Sequence, residues 1–467
     1  MAMSRRRAFS ALLAVAFACG LLVACEPLPL GPNIVFVYTD DQSQESITPQ
    51  AMPYLSGDPH GYWWKGDLIY NNSQCCPSRA VFLSGQDGHN NGVIDNSTGE
   101  NLDVNNTIAK RLHDRGYFTC KVGKYLNFWP FGGPMTAPPG WDRWSVLMED
   151  VPDDDNAALY YGYQMDINGV LKSYGSAPKD YSTSVFNSKA QGDCLNRLPA
   201  DKPFFLDLSF FGPHNPFTPA PADVGDPVSV PPKKPNFNVL PANPVQWELR
   251  EGLLTSAEAK QWRKHLKNEY RTLRSADRSI KSVMDKLQSL GLLDNTIVVF
   301  TSDNANSFGE HGYTTKRCYY EECLRMPLWI RYPLTGGTPA TRTDGHLIGN
   351  VDIAATLAEL AGTDLNWSPI NGRSLVPLLR GEQPTDWRSA VLVENRGGQT
   401  FQEGARIGRY WGLRTSQYTY VELSDTGETV LFDHAVDPYE LNNVAASPSY
   451  ASVVTQLHDQ LAVQQNE

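Results

Sequence analysis

The sequence predicts an α/β protein built on a largely parallel sheet, and three apolar runs with one helix between two of them carry that prediction. NIVFVYTDD is apolar from Ile34 to Tyr38 and stops at Asp40 and Asp41. PFFLDLSFFGPHNP is a second strand-like run, ending at His214. NTIVVFTSDN repeats the design, apolar from Ile297 to Phe300 and then polar at Asp303 and Asn304. Such runs, rich in β-branched and aromatic residues, suit strands buried on both faces. Between the last two lies EYRTLRSADRSIKSVMDKLQSLG, where Leu273, Ala276, Ile280, Val283, Met284, Leu287 and Leu290 recur at helical spacing and Gly291 supplies a stop. Strand, amphipathic helix, strand is a βαβ unit.

The elements follow in chain order. Arg5, Arg6 and Arg7 precede an apolar run that ends in Leu22-Val23-Ala24-Cys25. This predicts a signal peptide over residues 1–24 of the bacterial lipoprotein type, with Cys25 lipidated. Acyl chains would then anchor an exported protein to the membrane of the cell envelope, or leave it periplasmic or extracellular if the signal is an ordinary one. NNSQCCPSRAVFLSG reads as a short helix that opens at Cys75 and Cys76, with Pro77 early and Gly85 as the stop. YFTCKVGKYL starts like a strand. Outside its strand-like run, the tract from Asp201 to Pro244 is proline-rich and reads as an irregular excursion. Near the end, YWGLRTSQYTYVELSDTGETVLFD reads as strands joined at a turn containing Asp425 to Gly427, and SYASVVTQLHDQLAVQQ as a final helix.

Composition excludes some functions. The formal net charge of −11 argues against a nucleic-acid binder, which needs basic patches. Eight cysteines are present. With Cys19 lost in the signal, Cys25 taking lipid and Cys75 set apart, Cys76, Cys120, Cys194, Cys318 and Cys323 remain, an odd number that leaves at least one free thiol in an oxidising compartment. Spacing does not fix their connectivity.

In open α/β sheets, ligands bind outside the carboxyl ends of the strands. Asp40, Asp41, His214, Asp303 and Asn304 are therefore expected in one crevice. A lone Asp after a strand is commonly a turn or helix cap. An Asp-Asp pair repels itself unless a cation intervenes. Three carboxylates and an amide oxygen suit Ca²⁺ or Mg²⁺. A helix opening at Cys75, with Arg79 in its first turn, favours an anion and a depressed thiol pKa. These residues alone point to a metal-assisted hydrolase of an anionic ester.

Cys75-Cys76-Pro77-Ser78-Arg79, followed by AVFLSG, resembles the C-x-P-S-R signature of the type I, formylglycine-dependent sulfatases of the alkaline phosphatase superfamily. Further segments are similar in order along the chain: GK at Lys124, GPHNP at His214, TTKRCYYEECLRMPLWIRYP with Lys316, then VDIAATLAELAG, NGRSLVPLLRG and LFDHAVDPYELNNVA. The resemblance implies an alkaline-phosphatase-like mixed sheet sandwiched by helices over residues 32–386, and a smaller antiparallel-sheet domain over 387–467. It implies that a maturation enzyme converts Cys75 to formylglycine, while Cys76 fills the variable position. Asp40, Asp41, Asp303 and Asn304, with position 75, would hold calcium, or magnesium. An oxygen at position 75 would attack sulfur; Arg79, Lys124 and Lys316 would face the sulfate, and His214 or Lys316 would protonate the leaving alcohol.

GKYLN and CCPSR are closest to the branch of N-acetylglucosamine-6-sulfatases and heparan sulfatases, which implies a sulfated carbohydrate of the hexosamine 6-sulfate type. Leu126 stands where many relatives have a histidine, Asn127 is a possible substrate contact beside it, and Ala305 replaces the glycine of SDNG. His89 reads as structural. The tract NFWPFGGPMTAPPGWDRW offers aromatic platforms for sugar rings or ordinary packing. A phosphonate or phosphodiester hydrolase of the same superfamily, or an arylsulfatase of other specificity, is the alternative expectation.

Overall fold

The computed structural model describes residues 31–149, 159–333, 341–363, 370–397 and 407–466. The expected signal segment and Cys25 lie outside these residues. Strands are numbered here in chain order: β1 Asn33–Asp40, β2 Trp63–Ile69, β3 Phe118–Gly123, β4 Arg143–Leu147, β5 Gln164–Ile167, β6 Val170–Ser173, β7 Phe204–Pro213, β8 Thr296–Ser302, β9 Ser307–Phe308, β10 Thr314–Thr315, β11 Arg325–Arg331, β12 Arg342–Thr343, β13 Ile348–Gly349, β14 Ala390–Asn395, β15 Tyr410–Thr415, β16 Tyr418–Leu423 and β17 Thr429–Asp433.

Eleven strands form one mixed sheet in the order β12-β2-β11-β8-β1-β7-β3-β4-β5-β6, with β13 also on β2. β1 lies at its centre, parallel to β7 and β8. Every residue of β1, β7 and β8 is buried, as uninterrupted apolar runs require in a sheet covered on both faces. One hydrophobic cluster packs on each face. The first includes Phe36, Phe82, Ile108, Leu357 and Leu378; the second includes Val37, Leu208, Leu273, Ile280 and Leu287. This is the α/β sandwich the sequence implies. The antiparallel pairs β4-β5, β5-β6, β2-β11 and β8-β11 make the sheet mixed.

The helix between β7 and β8 spans Ser256–Ser289, longer than its apolar stripe suggests. Its first half, SAEAKQWRKHLK, is mostly polar and carries no stripe to read. It is held at its start by Thr255, whose hydroxyl accepts from the Glu258 amide while the Glu258 carboxylate accepts from the Thr255 amide. The tract after β7 is irregular as expected, up to the short helix Gln246–Glu251. The C-terminal sheet runs β14-β15-β16-β17 in antiparallel order. The stretch read as strands about one turn thus holds three strands and a second turn, at Ser416 and Gln417. The last helix, Ala451–Gln464, covers this sheet through Leu457 and Leu461. Among the described residues no helix is long and apolar enough to cross a membrane.

Among the described residues two disulfides form, Cys120–Cys194 and Cys318–Cys323, and Cys75 and Cys76 are free and buried. The tryptophans of the aromatic tract after Lys124 pack into the core. Trp129 and Trp144 belong to the core cluster, Tyr125 packs edge-on against both, and Trp141 stacks on Phe205.

Candidate active site

Strand register brings the site together. Thr39 pairs with Ser302, and Asp40 with Pro213, so Asp40, Asp41, Asp303, Asn304 and His214 leave the sheet at one edge. Gly123 of β3 pairs with Ser209 of β7, which places Lys124 at the same edge. The helix Cys75–Ser84 follows β2 and points its N-terminus there. Lys316 arrives from the loop after β10. The crevice expected at the carboxyl ends of the strands therefore holds Asp40, Asp41, Cys75, Arg79, Lys124, His214, Asp303, Asn304 and Lys316.

Cys75 is at the centre, 1% exposed. Its Sγ lies 3.3 Å from Asp40 Oδ1, 3.9 Å from Asp41 Oδ1 and 2.7 Å from Lys316 Nζ. Lys316 Nζ also donates to Asp41 Oδ1 at 2.6 Å. Lys124 Nζ sits 2.6 Å from Asp40 Oδ2. Arg79 is fully sequestered: Nε donates to Asp303 Oδ2 at 2.7 Å, one terminal nitrogen reaches Asp40 Oδ2 at 3.3 Å, and the other donates to Ser209 Oγ at 2.8 Å and to the Lys124 carbonyl at 3.0 Å. His214 Nε2 is 3.5 Å from Asp41 Oδ2, and its Nδ1 contacts the Asn215 carbonyl at 2.8 Å. At 13% side-chain exposure His214 is the most open of these groups.

Burial decides the ionisation here, and charge partners then sort it. Burial opposes the charge on Asp40, but Lys124, His214, Arg79 and Lys316 overcome it and hold that carboxyl well below its usual range. Asp303 moves the other way, to about 6, through burial and the charge of Asp40. Burial, seconded by Asp40, pushes the Cys75 thiol up despite Lys124 and Lys316. The helix N-terminus was expected to depress this thiol; desolvation and a carboxylate at 3.3 Å outweigh it. An unmodified Cys75 is thus a poor thiolate nucleophile. Cys76 is raised to about 12, chiefly by burial.

The acids also fit a hard cation. One ligand atom from each of Asp40, Asp41, Cys75 and His214 lies within 4.8 Å of the others. Asn304 Oδ1 is buried beside them without a hydrogen-bond partner, while its Nδ2 donates to Asp303 Oδ1 at 2.6 Å. A buried amide oxygen left orphaned next to three carboxylates is a donor set that suits a hard, oxygen-binding cation. Asp303 shares its carboxylate between Arg79, the Asn304 amide and the Asp41 backbone N–H.

Other candidates lie where packing explains them. His89 is held by Glu394, which accepts from its backbone N–H at 3.0 Å, and its ring meets Trp411 edge-on. Leu126 is 1% exposed within the core, and Ala305 is buried, bridging to Gln42. Sequence reading missed Lys121, Asp207, Ser209 and Glu149. Lys121 Nζ donates to Asp207 Oδ1 at 2.6 Å and to the hydroxyl of Tyr38, whose ring faces the Arg79 guanidinium at 5.0 Å, at 3.0 Å. Single opposite charges inside two apolar runs, CKVG and FLDLS, were the available signal.

A mixed sheet that gathers three carboxylates, three cations and a histidine at its strand ends defines a hydrolase of anionic esters. The chain belongs to the sulfatase family, a family of sulfuric ester hydrolases: the sulfatase family model matches residues 32–363. A second model, the N-sulphoglucosamine sulphohydrolase C-terminal region, matches residues 309–467. The N-acetylglucosamine-6-sulfatase of Capra hircus is 30% identical over 461 residues, covering 89% of this chain and 80% of its own. The human N-acetylglucosamine-6-sulfatase is 31% identical over 385 residues, 78% of this chain and 67% of its own. The N-acetylglucosamine-6-O-sulfatase of Bacteroides thetaiotaomicron is 28% identical, with coverage of 90% and 84%. A protein solved in complex with its substrate D-glucosamine-2-N,6-O-disulfate superposes with a TM-score of 0.76 at 25% identity, covering 93% of this chain and 98% of that one. The fold is accordingly alkaline-phosphatase-like, as in these sulfatases.

Proposed function

We propose that this sulfatase removes the 6-sulfate of a hexosamine, using formylglycine made from Cys75 by a maturation enzyme and a bound Ca²⁺, or Mg²⁺. The observation that carries the reading is the convergence of Lys124, Lys316 and Arg79 on the acids around a buried Cys75. The names and substrates of the relatives at 28–31% identity support the sugar class. The cation would supply Lewis-acid polarisation, and the hydrated aldehyde at position 75 an oxygen nucleophile that can later release sulfate.

The chain's own residues do the rest. Asp40, Asp41, Asp303 and the Asn304 amide oxygen would hold the cation. Lys124 and Lys316 now balance Asp40 and Asp41 at 2.6 Å each. With a cation held among those acids, Lys124 and Lys316 would face sulfate oxygens, where their charge would stabilise the transition state in a buried site. Arg79 ties Asp303, Asp40 and the Lys124 backbone into one frame and orients the acids. His214, the most open group, would protonate the departing sugar oxygen, with Lys316 as the other candidate donor. The division at residues 386 and 387, export through residues 1–24 and the lipid at Cys25 belong to the same reading and rest on the sequence.

The test is kcat/KM across N-acetylglucosamine 6-sulfate, glucosamine 6-sulfate, an aryl sulfate, choline sulfate and a phosphonate monoester, on protein matured with a formylglycine-generating enzyme. The hexosamine 6-sulfates should lead. A lead by the aryl or choline ester overturns the sugar class, and a lead by the phosphonate replaces sulfate with phosphonate as the natural ester.

A further inference from the structure

Beside Lys124 stands a carboxylate that the proposed chemistry does not use. β4 runs parallel to β3 with Gly123 opposite Val146, so Glu149, two residues beyond β4, leaves the sheet at the same edge as Lys124. Glu149 is 6% exposed. Its Oε1 lies 3.5 Å from Lys124 Nζ, whose closer partner is Asp40 Oδ2 at 2.6 Å. That oxygen is buried and accepts no hydrogen bond.

A buried carboxylate oxygen without a donor is costly. Next to a pocket that receives a sulfate it is worse, because like charge repels the substrate. Such a group is tolerable when the substrate itself brings a donor. Aryl and simple alkyl sulfates bring none. A hexosamine 6-sulfate does: one hydroxyl, on C4, stands on the ring carbon next to the one that carries the sulfated arm. A site built to accept from a substrate hydroxyl also rejects analogues that lack it, since the acceptor is then left unpaired.

We infer that Glu149 is a specificity-determining residue, whose free oxygen accepts a hydrogen bond from the ring hydroxyl adjacent to the sulfated arm of the sugar. The inference rests on the hexosamine 6-sulfate reading above. The rival role is positional: Glu149 holds Lys124 and acts on every substrate alike.

Glu149→Ala and Glu149→Gln, each checked for folding by its thermal unfolding midpoint, separate the two. For each, kcat/KM is measured on N-acetylglucosamine 6-sulfate and on 4-nitrophenyl sulfate. The ratio of sugar to aryl efficiency should fall about 10- to 100-fold in Glu149→Ala, the size of one hydrogen bond to a charged group. It should fall less in Glu149→Gln, which keeps an acceptor oxygen without the charge. Equal losses on both esters assign Glu149 to positioning Lys124 and overturn the inference, as does an unchanged sugar rate. A wild-type enzyme that does not cleave the sugar sulfate removes the substrate reading itself, and is seen before any variant is made.

Discussion

The two neighbouring thiols show how one helix register assigns different fates to like residues. Cys75 lies between Asp40, Asp41 and Lys316, while Cys76 turns away into the core cluster and takes the Asn96 side-chain oxygen on its backbone N–H at 3.1 Å. The first has carboxylates and an ammonium in contact with its sulfur. We expect mass spectrometry of the peptide from Gln74 to Arg79, from matured protein, to show an aldehyde at position 75 and an intact thiol at 76. Cys76→Ala should keep most activity, and Cys75→Ala should lose essentially all of it; an active enzyme carrying an unconverted Cys75 would refute the chemistry. At this scale the sequence was informative where a polar residue interrupts a strong apolar pattern, as at Asp40, Asp41, Asp303 and Asn304. Glu149 sits in ordinary polar surroundings, LMEDVPDDD, where nothing marks one acid from its neighbours until the sheet register is known.

Elements that are strongly periodic or uniformly apolar were legible: the three central strands, the second half of the long helix, and the helix that starts at Cys75. The edge was not. β5 and β6 are short, β6 is exposed throughout, and their sequence QMDINGVLKS shows no long apolar run. Cysteine pairing was equally silent, since it depends on the contact of β3 with the segment following the Ser182–Lys189 helix. That disulfide braces the strand that delivers Lys124, four residues beyond Cys120. Replacing Cys120 and Cys194 together with alanine should cost about 2–5 kcal/mol, the usual range for a native disulfide. The denaturation midpoint of the double variant measures it. A midpoint within error of wild type would mean the packing of Leu206 and Leu208 holds β3 in place without the covalent link.

The whole molecule is tied together behind the site. The C-terminal sheet shares an apolar cluster with the catalytic sheet, in which Val393, Val421 and Phe432 meet Ile69, Tyr319 and Leu324. The Tyr410 hydroxyl donates to the Arg317 carbonyl at 3.1 Å, one residue beyond Lys316, and Gln74 Nε2 donates to Asn395 Oδ1 at 3.1 Å, one residue before Cys75. The C-terminal sheet therefore helps to position two groups of the site. The polar part of this junction is crowded with acids. Glu321 is paired with Arg414 at 2.6 Å and Arg325 at 3.0 Å, and its backbone N–H donates to Glu440 Oε2 at 2.9 Å. Glu440 Oε1 has no hydrogen-bond partner. Burial, then the charges of Glu321 and Glu322, raise the Glu440 carboxyl well above its usual range.

A carboxyl whose folded pKa is raised binds its proton more tightly folded than unfolded, so its stabilisation is complete below the unfolded value near 4.5 and fades as pH climbs toward the folded value. Ionising Glu440 thus weakens the junction in neutral and alkaline solution. Glu440→Gln keeps an oxygen for the Glu321 N–H and cannot ionise. Its thermal midpoint should gain on the wild type steadily from pH 5 to pH 9, and activity at pH 9 should survive heating longer. Glu440→Ala loses the oxygen that Glu321 needs and should be less stable than wild type at pH 5, where both carboxyl and amide are neutral. A difference between Glu440→Gln and wild type that stays constant over this range would show that folded Glu440 is ionised throughout it, as in the unfolded chain, and that the junction does not raise its pKa.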